Sequence, residues 1–318
     1  PRTVLMGSEE VDACQHSNLN RILRPLPPLS IANARRFPLW LVMTNLAVLA
    51  WAGGWRNQPT VAYVPERSAV SPTGHVGYGR QVEETRPEDL GTILGIWAHP
   101  DDETYSMAGV MATAIANGQR VVCATATKGE LGSEEIPPEL LGPIRAAELE
   151  VALGMLGVTE HIWLGYPDGG CTDADQGEAV GRLAALIDDI KPDTIMGFGP
   201  DGGTWHSDHI ATYEWAAAAI AKSGASVRHL CNVSTPEGLA KILEFVPIEM
   251  IMMTDQEPVL VKREDCDFFF EVRGELLELK TRALESQISQ TAGFIAMVGR
   301  ESYKSSIGEE AFVLAPKT

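Results

Sequence analysis

Positive charge is scarce in this sequence. Against 43 Asp and Glu stand 25 Lys and Arg, and the formal net charge is −18. That deficit argues against a nucleic-acid partner, whose phosphates call for a basic surface, and against an anionic membrane surface. Cysteine is sparse too: Cys14, Cys123, Cys171, Cys231 and Cys266 are odd in number and scattered. No pair has the CxxC spacing of a metal knuckle, and scattered reduced thiols fit a cytoplasmic protein better than a disulfide framework. Internal repeats and low-complexity tracts are absent. No G-x-G-x-x-G follows the first strand-like run, which reads "HPDDE" where a dinucleotide-binding turn needs glycines; a nucleotide-dependent dehydrogenase is therefore set aside.

One absence is local. Residues 1–85 contain no Lys, eight Arg and six acidic residues, leaving 17 basic and 37 acidic residues for the remainder. This break in composition divides the chain into an N-terminal extension with a linker, 1–88, and a globular domain, 89–318. Residues 37–55, "FPLWLVMTNLAVLAWAGGW", are uncharged and reach the length of a membrane span, with Arg35 and Arg36 as a cytoplasmic-type flank. Pro38, Thr44, Asn45 and the Gly53–Gly54 pair weaken that reading, and an irregular extension is favoured over an anchor.

From residue 91, short apolar runs alternate with helical patterns. "TILGIWA" (92–98), "RVVCATAT" (120–127), "HIWLGY" (161–166) and "DTIMGFG" (193–199) read as buried strands. Residues 104–118, 142–158, 176–190 and 209–224 read as helices between and after them. The alternation predicts an α/β domain with a mostly parallel sheet covered by helices on both faces. "FVPIEMIMM" (245–253) and "CDFFFEV" (266–272) read as further strands, and 273–289 as an amphipathic helix.

Ligands bind outside the carboxyl ends of strands in such sheets. The first strand delivers "HPDDE" (99–103) to that edge and the fourth delivers "GPDGGTWHSDH" (199–209). His99, Asp102 and His209 form a two-His, one-carboxylate set that suits zinc and leaves a fourth position for water. Asp101 lies beside such an ion as a base for its water, and His206 can donate to an oxyanion. Glu103 reads as a support for a loop amide or for His99, and Asp208 as a first-turn acid favoured by the helix dipole. Each cluster alone reads equally well as helix capping or an unremarkable i, i+3 pair; their shared place at strand ends favours chemistry.

"AHPDDE" (98–103) and "GPDGGTWHSDH" (199–209) resemble the PIG-L/LmbE family of zinc-dependent N-deacetylases, which includes phosphatidylinositol N-acetylglucosamine deacetylases and the mycothiol-pathway deacetylase. "TKGELGS" (127–133), "RAAELEVALGMLGV" (145–158) and "LGYPDGG" (164–170) extend the likeness. The resemblance implies a Rossmann-like fold and one zinc ion, with Fe2+ as the other candidate. His99, Asp102 and His209 match the ligands, Asp101 the general base and His206 the oxyanion-stabilising or acid residue. Arg145 and Asp168 match substrate contacts. Without the family, Arg145 would read as a surface partner of Glu148 and Asp168 as a turn residue. Trp205 is a candidate wall for a sugar ring. Thr204 stands where mycothiol enzymes carry Tyr, and Gln287 where many relatives carry His; both changes are expected to touch substrate handling.

The expected activity is removal of an acetyl group from an N-acetylated amino sugar or its conjugate. The alternatives are an amidase acting on a larger thiol conjugate or glycosylated natural product, and a non-catalytic sugar-binding module. Retention of Asp101 beside all three presumed ligands argues against the latter.

Overall fold

The computed structural model describes residues 86–316; the hydrophobic stretch 37–55 and the extension up to residue 85 lie outside them. Among the described residues, no helix is long and apolar enough to cross a membrane. After a short 3-10 turn, Pro87–Leu90, come β1 (Ile93–Trp97), α1 (Asp102–Ala116), β2 (Val121–Thr125), α2 (Pro138–Met155) and β3 (Glu160–Trp163). Then follow α3 (Gln176–Ile190), β4 (Thr194–Gly197), α4 (Ser207–Ser223), β5 (Arg228–Asn232), α5 (Pro236–Leu243) and β6 (Phe268–Glu271). The chain ends with α6 (Gly274–Glu285), α7 (Ile288–Val298), α8 (Arg300–Ser306) and β7 (Glu309–Leu314).

The seven strands lie in the order β3-β2-β1-β4-β5-β7-β6. The first five are parallel, and β7 runs antiparallel to both β5 and β6. Every residue of β1, β2 and β4 is buried, as expected of strands covered on both faces. Alternation along β1 divides them: Ile93 and Trp97 join the core under α1 and α2, while Leu94 and Ile96 join the core under α3 and α4. The helices on both faces and the mostly parallel sheet match the expected fold class.

Two expectations need correction. "FVPIEMIMM" is no strand; it holds a 3-10 turn, Ile248–Met250, within loops. Pro247 has no ladder donor, and Val246 and Met252 are buried while Met250, on the same alternation, is exposed, so the segment lacks the two-residue period of a strand. The helix expected over 273–289 ends at Glu285, and a separate helix begins at Ile288. The strands β5 and β7 were not anticipated: "RHLCN" mixes charge with apolar residues, and β7 pairs with β5 only through distant tertiary contact.

The order places β1 beside β4. Strand succession reverses between them, which opens a crevice at their carboxyl ends. The loops after β1 and β4, carrying residues 98–101 and 198–206, meet there.

A half-buried histidine on β5 is a source of acid sensitivity in the fold. His229 is pushed down to about 4 by burial, and its Nε2 has no hydrogen-bond partner. Because its folded pKa lies below its unfolded one, the unfolded chain binds the proton first, and stability falls as pH drops from about 6.5 to about 4. Urea unfolding at pH 7 and pH 5 is expected to show that His229→Leu loses about 1–2 kcal/mol less than the parent chain over that interval. An equal loss in both would assign the acid sensitivity elsewhere.

Candidate active site

His99 leaves the end of β1 and His209 sits in the first turn of α4; both are buried. His99 Nδ1 lies 3.2 Å from His209 Nε2. Asp102, in the first turn of α1, spans the pair, with Oδ2 3.6 Å from His99 Nδ1 and Oδ1 3.5 Å from His209 Nε2. Phe198, just past β4, stacks flat on the His209 ring at 4.0 Å.

The outer nitrogens of both rings are committed. His209 Nδ1 lies 2.9 Å from Gly202 O, which fixes Nδ1 as the donor. His99 Nε2 faces Asp168 Oδ1 at 3.0 Å and Asp208 Oδ2 at 3.3 Å, so that nitrogen also carries hydrogen. With both rings neutral, the inner nitrogens are left as acceptors, pointing at each other and at a carboxylate. Three such groups at 3.2–3.6 Å need positive charge among them, supplied by a proton on His99, whose pKa the carboxylates raise, or by a cation in its place. Donors around one tetrahedral ion with bonds of about 2.0–2.2 Å stand about 3.3–3.6 Å apart. The residues present therefore fit a small divalent ion.

Two other sets of donors come within 4.8 Å: His99 with His206 and His209, and His99 with Asp168 and Asp208. Their members are already engaged. His206 Nδ1 accepts from the Asp208 amide at 3.1 Å. Asp208 accepts from the Gly169 and Cys171 amides at 2.7 and 3.1 Å, and Asp168 Oδ2 from the Leu131 amide at 2.8 Å. These groups frame the first set rather than compete with it.

Asp101 caps α1 with φ +106°, a region that costs a non-glycine residue energy and that clusters at functional sites. Its carboxylate lies 3.3 Å from Arg145 Nη2. Burial pushes the Asp101 pKa up to about 7; Arg145 opposes the rise and Asp102 adds to it. For Asp102, burial is outweighed by the imidazoles of His209 and His99, which hold it well below the usual range. Burial pushes His209 down to about 4. At His99 burial also disfavours charge, but Asp102, Asp168 and Asp208 outweigh it and raise the pKa. His206, half-buried with its ring edge-on to His99 at 4.7 Å, is held neutral chiefly by burial and secondarily by the charge on His99. With Nδ1 accepting, its Nε2 carries the proton.

The remaining candidates fall in less expected places. Arg145 is buried, not paired with Glu148 on the surface; it donates to Pro100 O at 2.6 Å and to Gly129 O at 2.8 Å, and its Nε has no partner. Gly129 makes the approach feasible: at φ +62°, a Cβ there would stand 2.2 Å from Nη1. Asp168 is turned onto His99 and the Leu131 amide. Glu103 is fully buried and pushed up to about 8 by that burial; it accepts from the Asp101 amide at 3.3 Å rather than bonding to His99. Trp205 has φ +60° and donates its indole N–H to Glu257 O at 3.1 Å. Gln287, expected to bear on substrate handling, is buried and donates to Thr104 Oγ1 at 3.0 Å, which in turn donates to Glu103. Glu130 accepts from the Asp168 amide at 3.0 Å. Its place just past the end of β2, on the same sheet edge, was the available signal.

A family model described as PIG-L, GlcNAc-PI de-N-acetylase, matches residues 94–220. Two relatives bear the name 1D-myo-inositol 2-acetamido-2-deoxy-alpha-D-glucopyranoside deacetylase. The one from Streptomyces avermitilis is 35% identical over 176 residues, covering 47% of this chain and 59% of the relative. The one from Mycobacterium sp. (strain JLS) is 31% identical over 227 residues, covering 62% of this chain and 73% of the relative. Among solved structures, the zinc-inhibited form of teicoplanin deacetylase Orf2 shares the fold, with a TM-score of 0.51 at 17% identity over 71% of this chain and 100% of that one. The described domain, with its crevice between β1 and β4, belongs to the PIG-L family.

Proposed function

We propose that the chain is a metal-dependent N-deacetylase that hydrolyses the acetamide of an amino sugar or sugar conjugate. The observation that carries this reading is the set of three inward-facing acceptors, His99 Nδ1, His209 Nε2 and the Asp102 carboxylate, with Asp101 beside them. His99, Asp102 and His209 would hold the ion, and two imidazoles with one carboxylate favour zinc, with Fe2+ as the alternative. Such an ion polarises a carbonyl and lowers the pKa of water.

Asp101 takes the proton of the attacking water as its oxygen bonds to the amide carbon. A carboxyl raised to about 7 suits that task, and the same group returns the proton to the leaving nitrogen as the C–N bond breaks. His206 donates from Nε2 to the carbonyl oxygen while charge develops there. Arg145 orients Asp101 and ties it to the turn at Pro100. Glu103 holds the Asp101 amide, and Asp208 and Asp168 fix the His99 ring. Acetate and a free amine leave.

A conjugated substrate is favoured over the free sugar by a recess of about 270 Å³ lined by Tyr105, Thr204, Asn232, Phe294, Tyr303 and Ile307. Tyr105 lies one helical turn past Asp102, on the same face, and Thr204 lies on the loop that carries His206. Asp168 and Trp205 remain the proposed sugar contacts. We assign residues 89–318 to the deacetylase domain and 1–88 to an extension. A cytoplasmic setting is supported by four unpaired cysteines among the described residues.

Elemental analysis of the purified protein is expected to find one divalent ion per chain, lost in His209→Ala. Asp101→Asn keeps the ion and lowers kcat by about a hundred- to ten-thousandfold; an unchanged kcat would remove Asp101 from the chemistry. Since the base must be ionised, kcat/KM falls as pH decreases through about 7. Arg145 lowers the Asp101 pKa, so Arg145→Gln moves that limb to higher pH; a shift to lower pH would contradict the pairing. Steady-state kinetics on N-acetylglucosamine and its glycosides check the recess: conjugates show the lower KM, and equal values would refute its role.

A further inference from the structure

Helix α1 is interrupted. Met107 has φ −146° and ψ 19°, outside helical values, so a first turn carrying Asp102 and Glu103 is angled against the rest. In an unbroken helix the Gly109 amide would bond to Tyr105 O, four residues back. Here the Gly109 amide donates to Glu310 Oε1 at 2.8 Å, and the Val110 amide to Glu310 Oε2 at 2.9 Å. Tyr105 O accepts instead from Lys280 Nζ at 2.7 Å, and the same ammonium donates to Glu310 Oε1 at 2.8 Å. Both charged side chains are completely buried.

A Lys–Glu pair has thus been inserted into a helical hydrogen bond. The carboxylate takes the amide, the ammonium takes the carbonyl, and each neutralises the other. Insertion into the i→i−4 ladder is a known cause of sharp kinks. Gly109 makes it feasible, since a Cβ there would stand 2.6 Å from Val272 Cγ2 and 3.2 Å from Glu310 Oε2. A buried ion pair is weak support for stability, because well-packed apolar residues serve as well or better. Its geometric consequence here is specific. The turn it angles is the one whose Asp102 faces His99 and His209, and Tyr105 N bonds to Asp101 O at 2.8 Å.

We propose that Lys280 and Glu310 are positioning residues that set the angle of the metal-binding turn, holding Asp101 and Asp102 against His99 and His209. This rests on the metal-centre reading above. Without the pair, the Gly109–Tyr105 bond re-forms, α1 straightens, and the first turn swings out of register with the two imidazoles.

The test is the double substitution Lys280→Met with Glu310→Leu, which replaces the pair with apolar groups and leaves no charge unpaired. Zinc affinity by chelator competition is expected to fall at least tenfold, and kcat more steeply, with KM within about threefold of the parent. Amide exchange at residues 102–110 changes in the metal-free protein, while the melting temperature is kept or raised. A stable double variant with parental zinc affinity and kcat would overturn the proposal, since a merely structural pair predicts that result. Should the double variant fail to fold, Glu310→Gln, which sets an amide group against one of the two backbone N–H donors, is read instead. About tenfold weaker zinc binding supports the proposal, and parental affinity overturns it. A parent chain that binds no zinc or other divalent ion would sink the metal-centre reading itself, a separate outcome.

Discussion

Two imidazoles facing each other with lone pairs, and a carboxylate across from both, form the constraint on which this site depends. Such an arrangement is repulsive unless something positive stands at its centre. It survives because the outer nitrogens are tied down, His209 by Gly202 O and His99 by Asp168 and Asp208. Those ties reach back into the loops after β3 and β4, so several connections are held in register by what two rings must do with their protons. The adjacency of β1 and β4 is the part of the topology that makes it feasible.

Charge balance points the same way. Asp102, Asp168 and Asp208 all have lowered pKa values and are ionised at neutral pH, and Glu103 is raised to about 8 and stays largely protonated. One guanidinium, Arg145, lies among them. A divalent ion with two neutral imidazoles brings this group to neutrality, leaving Asp101 as the carboxyl whose charge is free to change near neutral pH. That separation suits distinct tasks: strongly ionised acids lie against imidazoles, a protonated acid on an amide, and the acid in between is able to exchange a proton near neutral pH. The positive φ of Asp101 adds backbone strain at that same residue.

Much of this was legible in the sequence, for physical reasons. Buried parallel strands are continuously apolar, so β1, β2 and β4 announced themselves, and their ends marked the crevice. Helix α3 ran as its pattern read, 176–190, because its capping Asp175 and its apolar stripe agree. Charged residues that act by being buried were illegible. From its own helix Arg145 read as half of a surface i, i+3 pair, and only the resemblance made it a substrate contact, because the Gly129 and Pro100 carbonyls it meets come from other segments. Gln287 was read as bearing on substrate handling, and its support of Thr104 behind the carboxylates had no local signal. The strands β5 and β7 carry charge and depend on long-range pairing, which no local pattern records.

The part of the chain that resists sequence reading also lies beyond the matched family segment. That match ends at residue 220, yet Gln287, Lys280 and Glu310 all bear on the first turn of α1. The C-terminal third wraps back through β7 and α6 onto the helix that begins with Asp102 and Glu103. Lys280 fell within a segment read as an amphipathic helix, where a lysine ordinarily belongs to the wet face. It is buried because an interrupted helix leaves a carbonyl without its donor, and a long flexible ammonium can reach it while neutralising Glu310. An α1 without the interruption would satisfy its own backbone and need neither residue. The burial of two opposite charges is therefore best understood as the consequence of a bend that the site requires, and the bend, rather than the charges, is what natural variation at these positions would have to conserve.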